Sequence, residues 1–240
     1  MLCVNTMLSL LAQTKEAFFM FYNVVVNDWG ETTYVPTTLG NILLVVVILL
    51  LLGGAVFFAK KSSNKLTVKQ LAYCAMSIAL ATVLSNIKVF SFPTGGSITL
   101  LSMLAICIPG YLFGTGAGIL TGASYGVLQL LIDPYVLYPM QLVVDYLLAF
   151  GALGLSGLFT AQKNGLLKGY LVGVLGRYVF AVISGWIFFG TYAWEGWAAL
   201  PYSLVYNGIY IFAEAGITVM LLFIPAVRKM FVKIKEMAVV

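Results

Sequence analysis

The stretch GWIFFGTYAWEGWAALPYSLVYNGIYIFAE, residues 185–214, holds three of the four tryptophans of the chain, Trp186, Trp194 and Trp197. It connects two apolar runs that are each long enough to cross a bilayer, which predicts a hairpin of transmembrane helices. Aromatic rings gathered at one membrane face can anchor helices at the level of the lipid headgroups. They can also form the wall of a pocket for a flat organic ligand. The rest of the sequence has to decide between these interpretations.

The composition is that of a polytopic membrane protein. Of the 240 residues, 62% are hydrophobic and 9% are charged, whereas roughly 25% are charged in an ordinary soluble domain. Histidine is absent, and the three cysteines, Cys3, Cys74 and Cys107, are scattered through apolar sequence. We therefore expect no metal site, no Ser-His-Asp or Cys-His catalysis and no disulfide framework. A P-loop is also absent, so the sequence predicts neither an enzyme nor a bound cofactor.

The apolar runs predict an all-α bundle of membrane-spanning helices. The first run, residues 42–59, is followed by a basic linker, which by the positive-inside rule lies in the cytoplasm and leaves the N-terminus outside. Further spans are predicted near residues 68–86, 98–113, 115–132, 141–160, 168–189 and 203–225.

This order of spans divides the chain into four parts. They are an extracytoplasmic segment (1–38), an extra transmembrane helix with its basic linker (39–62), a six-helix core (63–230) and a cytoplasmic tail (231–240). The net charge of +5 comes from Lys and Arg on the predicted cytoplasmic side. It therefore indicates orientation in a lipid bilayer and not a nucleic-acid partner.

Three ionisable side chains are predicted at membrane depth: Asp145, Arg177 and Glu214. Charges are costly in hydrocarbon, so such residues face the bundle interior and are candidates for function. Arg177 and Glu214 both fall near the midplane, and we expect a structural ion pair because each charge would otherwise be buried alone. Asp145 lies near the outer end of its helix, with Gln141 one turn earlier and no Lys or Arg predicted at that depth. It suits a cationic ligand, or it is bonded to helix-end amides or water.

Two other features have alternative interpretations. Asn207 lies among Tyr202, Tyr206 and Tyr210 on the last span, and its amide can donate to and accept from the edge of a heterocycle. An aromatic belt would explain the tyrosines but not Asn207. The small residues Ala72, Ala75 and Ala79 form a smooth stripe on one helix, which either packs within the bundle or receives a partner helix.

Three ordered motifs carry a family resemblance. They are PTGGSITLLSML (93–104), YPMQLVVDYLLAFGALGLSGLF (138–159), and SGWIFFGTYAWEGW (184–197) followed by YSLVYNGIY (202–210). Together they resemble the substrate-binding S components of energy-coupling factor (ECF) vitamin transporters, specifically the thiamin-specific ones. The resemblance covers residues from about 66 to 230.

The resemblance implies a six-helix S component in the plasma membrane. Such a protein binds thiamin near the outer face and docks onto a transmembrane coupling subunit that two cytoplasmic ATPases drive. It also implies that Ala72, Ala75 and Ala79 contact the coupling subunit. The ligand contacts that it implies are Tyr125, Asp145, Tyr146, Gly185, Phe189, Tyr202 and Asn207, to which we add Gln141 from its place on the Asp145 face and Trp194 and Trp197 from the outer loop.

The ligand's chemistry agrees with these residues. Thiamin combines a positive thiazolium with a flat aminopyrimidine, so a shallow carboxylate, aromatic rings and an amide are suitable partners. We expect the outer loops around residues 93–97 and 194–197 to act as a lid.

The chain also departs from the family pattern. Tyr138 and Ala181 stand at positions where the family has histidine, and Asp145 and Phe189 where some members have Glu and Trp. The alternatives are an S component for a related compound, such as the pyrimidine precursor of thiamin or another vitamin, and a stand-alone secondary transporter or structural membrane protein.

Overall fold

A computed structural model of the chain describes residues 22–26, 32–39, 42, 66–92, 96–136 and 138–239. The chain forms two compact units, Met1–Ser62 with Val136–Tyr138, and Ser63–Tyr135 with Pro139–Val240. Apart from residue 42, the extra helix predicted over 42–59 lies outside the described residues.

The first unit contains an antiparallel pair of strands. Strand β1 (Tyr22–Val26) pairs with β2 (Thr32–Pro36), with Tyr22 opposite Pro36 and Val26 opposite Thr32. Both strands are rich in Val, Thr and Tyr, which suit a pleated surface. No secondary structure is predicted for this segment from the sequence, so the hairpin is a finding of the structure.

The second unit is a helical bundle, which confirms the predicted all-α membrane architecture. Five of its helices are long and apolar enough to cross a membrane, and α2 is shorter. A final amphipathic helix, α7, follows the bundle. The helices are α1 (Val68–Asn86), α2 (Ser102–Phe113), α3 (Thr115–Ile132), α4 (Met140–Phe159), α5 (Gly165–Phe188), α6 (Ala199–Phe223) and α7 (Pro225–Val239).

Local sequence explains where α1 and α7 begin and how they lie. At the start of α1, Thr67 and Gln70 bond each other's backbone amides, which forms a capping box. In α7, Phe231 is buried against the bundle while Lys233 is exposed. Lys235 reaches back to the bundle, where its amine donates to the Thr160 carbonyl, and burial lowers the pKa of that amine.

A seam of glycines sets the contact between α3 and α4. A Cβ built on Gly126 would lie 1.8 Å from the carbonyl oxygen of Tyr146, and one on Gly122 would lie 2.2 Å from that of Phe150. A Cβ on Gly118 would be as close as 2.7 Å to the α4 backbone. Only hydrogen fits at these positions, so the two backbones touch. We call Gly118, Gly122 and Gly126 the glycine seam.

A short strand pair joins α1 to α2. Strand β3 (Lys88–Ser91) runs antiparallel to β4 (Ser97–Thr99), and the amide of Phe92 donates to the Gly96 carbonyl at 2.7 Å. Because the helices alternate in direction, the connections after α3 and α5 reach the same end of the bundle as this strand pair. We call it the hairpin end.

Candidate ligand-binding site

A cavity of about 200 Å³ lies at the hairpin end of the second unit. Its wall is assembled from the β3–β4 strand pair and from residues of helices α1 to α6. The sequence-predicted residues that line it are Tyr125, Gln141, Asp145, Tyr146, Gly185, Phe189, Tyr202 and Asn207. Residues that were far apart in the sequence are therefore brought together around one cavity.

Asp145 owes its position to an irregular stretch of α4. Residues Val143–Leu148 form a π-helical turn, a rare conformation that is frequent at functional sites. Arg177 lines the same cavity, so a cationic side chain shares the cavity with Asp145. The guanidinium carbon of Arg177 lies 4.3 Å from the centre of the Phe150 ring, which supports it by a cation–π contact.

Glu214 is satisfied by groups other than Arg177. Its carboxylate accepts hydrogen bonds from the hydroxyls of Thr99 at 2.6 Å and Ser102 at 3.2 Å, and from the amide of Met103 at 2.9 Å. Among the described residues, Arg177 and Glu214 form no ion pair, which corrects the prediction that they pair directly. The physical reason is that Glu214 caps the N-terminus of α2, where free amides and the helix dipole favour a carboxylate.

The amide of Asn207 is fixed in one orientation. Its nitrogen donates to the carbonyl and hydroxyl oxygens of Ser203, at 2.9 and 3.1 Å, and its oxygen accepts from the Tyr210 hydroxyl at 2.7 Å. An amide oxygen has two lone pairs, so one remains for a ligand. A Cβ on Gly185 would lie 2.2 Å from the Ser203 hydroxyl, so this glycine lets α5 approach α6 at the cavity wall.

Aromatic rings form much of the remaining wall. Tyr202 and Tyr206 stack at 5.4 Å between ring centres, and Tyr135 and Phe189 stack at 6.0 Å. The hydroxyl of Tyr146 accepts the backbone amide of Tyr135 at 2.8 Å, which ties α4 to the loop that precedes it. The wall therefore offers flat faces for a ring system and for a positive charge.

The structure does not bring Trp194 and Trp197 into the cavity lining. Both side chains are exposed, at 44% each. Trp194 packs edge-on against Trp197 and against Tyr202, with ring centres 5.1 and 5.2 Å apart. Trp194 therefore packs against Tyr202, a residue of the cavity wall, and neither tryptophan lines the cavity itself.

Several lining residues were not singled out from the sequence. The sequence could have identified Tyr206 and Tyr210 as lining residues, because they follow Tyr202 at the spacing of one helix face. No sequence pattern identified Gln129, although its amide donates to the hydroxyls of Ser85 at 2.9 Å and Tyr125 at 2.6 Å. Further lining residues of this kind include Ser85, Lys88, Asp133, Tyr135, Phe150 and Ser184. Within the part of the chain that the structure describes, no three potential metal ligands cluster.

Residues 71–233 match the family described as "Thiamine transporter protein", which is more than half of the chain. The chain belongs to the thiamine transporter protein family. This confirms the family that the three sequence motifs indicate. The match spans every residue that lines the cavity, whereas the β1–β2 hairpin precedes it.

Individual members of the thiamine transporter family agree with this assignment. Thiamine transporter ThiT of Bacillus subtilis (strain 168) is 33% identical over 178 residues, which cover 66% of this chain and 92% of that protein. ThiT of Lacticaseibacillus paracasei is 30% identical over 104 residues, covering 36% and 52%. The solved structure of ThiT from Listeria monocytogenes superposes with a TM-score of 0.55 at 28% identity, covering 66% of this chain and 96% of that one.

Proposed function

We propose that the chain is a thiamin-binding S component that captures thiamin in the cavity at the hairpin end and is not an enzyme. The observation that carries this proposal is the Asp145 carboxylate in the wall of an aromatic cavity, inside the segment that matches the thiamine transporter family. A carboxylate suits either the positive thiazolium or the amino group of the pyrimidine. The rings suit both flat heterocycles.

Selection of a cation in this cavity depends on local contacts. Asp145 and Arg177 both line the cavity wall, so their formal charges cancel. Their summed charge therefore favours neither a cationic nor an anionic ligand. Arg177 is held against Phe150, whereas the faces of Tyr202 and Phe189 attract a cation through their ring quadrupoles. Recognition of thiamin then requires Asp145 to contact the ligand directly.

The charge pattern supports an orientation with the hairpin end outside. The basic residues of α7, Arg228, Lys229, Lys233 and Lys235, lie after the last bundle helix, and the positive-inside rule places them in the cytoplasm. The N-terminus would then be outside and the chain would be a multi-pass protein of the plasma membrane. Loop residues Gly96 and Ser97, which line the cavity, would form part of a lid.

The proposed contact with a transmembrane coupling subunit and two ATPases involves α1. Ala72, Ala75 and Ala79 are all exposed along that helix. A stripe of small side chains lets another helix approach closely. We expect Ala75→Leu to reduce co-purification with the coupling subunit while thiamin binding stays unchanged.

Val179→Leu is the matched control, because it also enlarges an exposed side chain but lies on α5 and not on the proposed interface helix. Equal co-purification of the Ala75→Leu variant and the wild type would place the interface elsewhere. Uptake by this chain alone, driven by an ion gradient, would support the secondary-transporter alternative.

Asp145→Asn tests the proposed ligand. We expect the Kd for thiamin, measured by titration calorimetry of the purified protein, to rise more than tenfold, because the amide lacks the charge. Glu195→Gln is the control, since it removes an exposed acid at the same end that does not line the cavity. An unchanged Kd would refute the role of Asp145. Stronger binding of the isolated pyrimidine fragment than of thiamin would favour the alternative that the ligand is the precursor.

A further inference from the structure

Two buried hydroxyls have no hydrogen-bond partner among the described residues: those of Tyr170 and Ser184. Both side chains are almost fully buried, with 0% and 1% of their surface exposed. A buried polar group without a partner destabilises the fold, because it has lost its bonds to water. The two residues differ in one respect, which is that Ser184 lines the cavity and Tyr170 does not.

The other buried hydroxyls near Ser184 are engaged within the protein. Ser203, on the facing helix α6, donates to the Val182 carbonyl at 2.8 Å. At the cavity wall, Thr99 and Ser102 both bond Glu214. The lack of a protein partner is therefore particular to Ser184 in this neighbourhood and does not reflect a generally loose wall.

The surroundings of Ser184 indicate what would satisfy it. Its hydroxyl lies beside the carboxylate of Asp145, and both residues line the same cavity. A serine hydroxyl can donate one hydrogen bond and accept others, whereas a carboxylate only accepts. Side by side, the two groups match an edge that presents an N–H next to a ring nitrogen.

We infer that Ser184 is a further ligand-binding residue, and that it and Asp145 together bind the aminopyrimidine edge of thiamin. This inference rests on the proposed function. The amino group would donate to the carboxylate, and the Ser184 hydroxyl would donate to the adjacent ring nitrogen. The thiazolium has no N–H and no free ring nitrogen, so it would lie against the aromatic rings.

The test compares two variants that each remove an unpartnered hydroxyl, Ser184→Ala and Tyr170→Phe. We expect both ligand-free variants to melt close to the wild type, because neither hydroxyl makes a well-formed hydrogen bond with a described residue. The Kd for thiamin should rise about tenfold in Ser184→Ala, which corresponds to about 1.4 kcal/mol. It should stay unchanged in Tyr170→Phe.

A second measurement identifies the ligand group. In oxythiamin an oxygen replaces the pyrimidine amino group, so the Asp145 carboxylate would face a second acceptor in place of an N–H donor. Wild-type protein should therefore bind oxythiamin much more weakly than thiamin. The ratio of the two Kd values should shrink in Asp145→Asn, because the asparagine amide can donate to the oxythiamin carbonyl.

The outcomes separate this inference from the proposed function. Equal thiamin affinity in the wild type and Ser184→Ala would overturn the role of Ser184 alone. Failure of the wild type to bind thiamin would overturn the proposed function and this inference with it.

Discussion

The glycine seam and the cavity share helices α3 and α4, but the helices are packed closely at the seam and held apart at the cavity. At the seam, Gly126 of α3 lies so close to the backbone of Tyr146 that no Cβ fits. Asp145, the residue before Tyr146 on α4, lines the cavity together with other polar residues. Because the backbone of Tyr146 is packed closely against Gly126, the position of its neighbour Asp145 is fixed as well. The glycine seam therefore determines where the Asp145 carboxylate lies.

The π-helical turn Val143–Leu148 connects the two regions. It contains both Asp145 and Tyr146, so a shift of the α4 backbone at the seam would be transmitted directly to the carboxylate. Packed interiors pass such shifts on because they have little free volume. The seam should therefore affect ligand binding although none of its glycines lines the cavity.

The largest effect is expected from Gly126→Ala. The new methyl group would overlap the Tyr146 carbonyl, which is a backbone atom and cannot rotate away. We expect α4 to be displaced, the protein to lose about 3 kcal/mol of stability, and thiamin affinity to fall with it. Thermal unfolding in detergent and calorimetric titration would measure the two effects.

Gly116→Ala is the matched control on the same helix, because nothing lies within 4 Å of a Cβ at that position. It should be neutral or slightly stabilising, since alanine favours a helix by about 1 kcal/mol over glycine. If Gly126→Ala melted like Gly116→Ala, the seam would not determine the position of α4.

An intermediate effect is expected from Glu214→Leu. Leucine cannot accept a hydrogen bond, so the hydroxyls of Thr99 and Ser102 and the amide of Met103 would lose their acceptor. We expect a loss of about 2 kcal/mol and weaker thiamin binding, because Thr99 and Ser102 line the cavity. Melting temperature and Kd would report these changes.

Glu214→Gln serves as the control, since its amide keeps an oxygen acceptor of similar size. It should lose clearly less stability than Glu214→Leu. Equal losses in both variants would mean that the charge itself, and not the set of hydrogen bonds, is what the α2 N-terminus requires.

Apolar composition predicted most of the helices, but the span predicted at 98–113 includes part of strand β4, and α2 begins at Ser102. The spans predicted at 68–86 and 115–132 coincide with α1 and α3, because long apolar runs have few alternatives in a bilayer. The last predicted span, 203–225, runs past the real break, since α6 ends at Phe223 and Pro225 begins α7. The π-helical turn had no compositional signal, so nothing in the sequence predicted it.

Sequence reasoning reached residues of the candidate site where a residue was unusual for its depth. Asp145 was identified because a carboxylate is rare inside a membrane span. Ser184 had no such signal, since small hydroxyl residues commonly mediate plain helix packing. The expected Arg177–Glu214 pair was wrong because depth gives the height of a side chain but not its direction around the helix axis.

The smallest effect is expected from Tyr206→Phe, which affects the proposed lid and leaves the seam intact. The Tyr206 hydroxyl accepts the amide of Gly96 at 3.1 Å, and a Cβ on Gly96 would lie 2.9 Å from that hydroxyl. Without this bond the loop should open more often, so thiamin should dissociate a few times faster in a stopped-flow measurement. Stability should change by less than about 1 kcal/mol.

Tyr178→Phe provides the comparison for Tyr206→Phe, because the Tyr178 hydroxyl also makes one hydrogen bond, to the Leu204 carbonyl at 3.0 Å, but does not line the cavity. The two variants should melt alike and differ only in the rate of thiamin release. An equal release rate would show that the loop does not close the cavity through Tyr206. In that case the retention of thiamin would depend on the cavity wall, which the glycine seam holds in place.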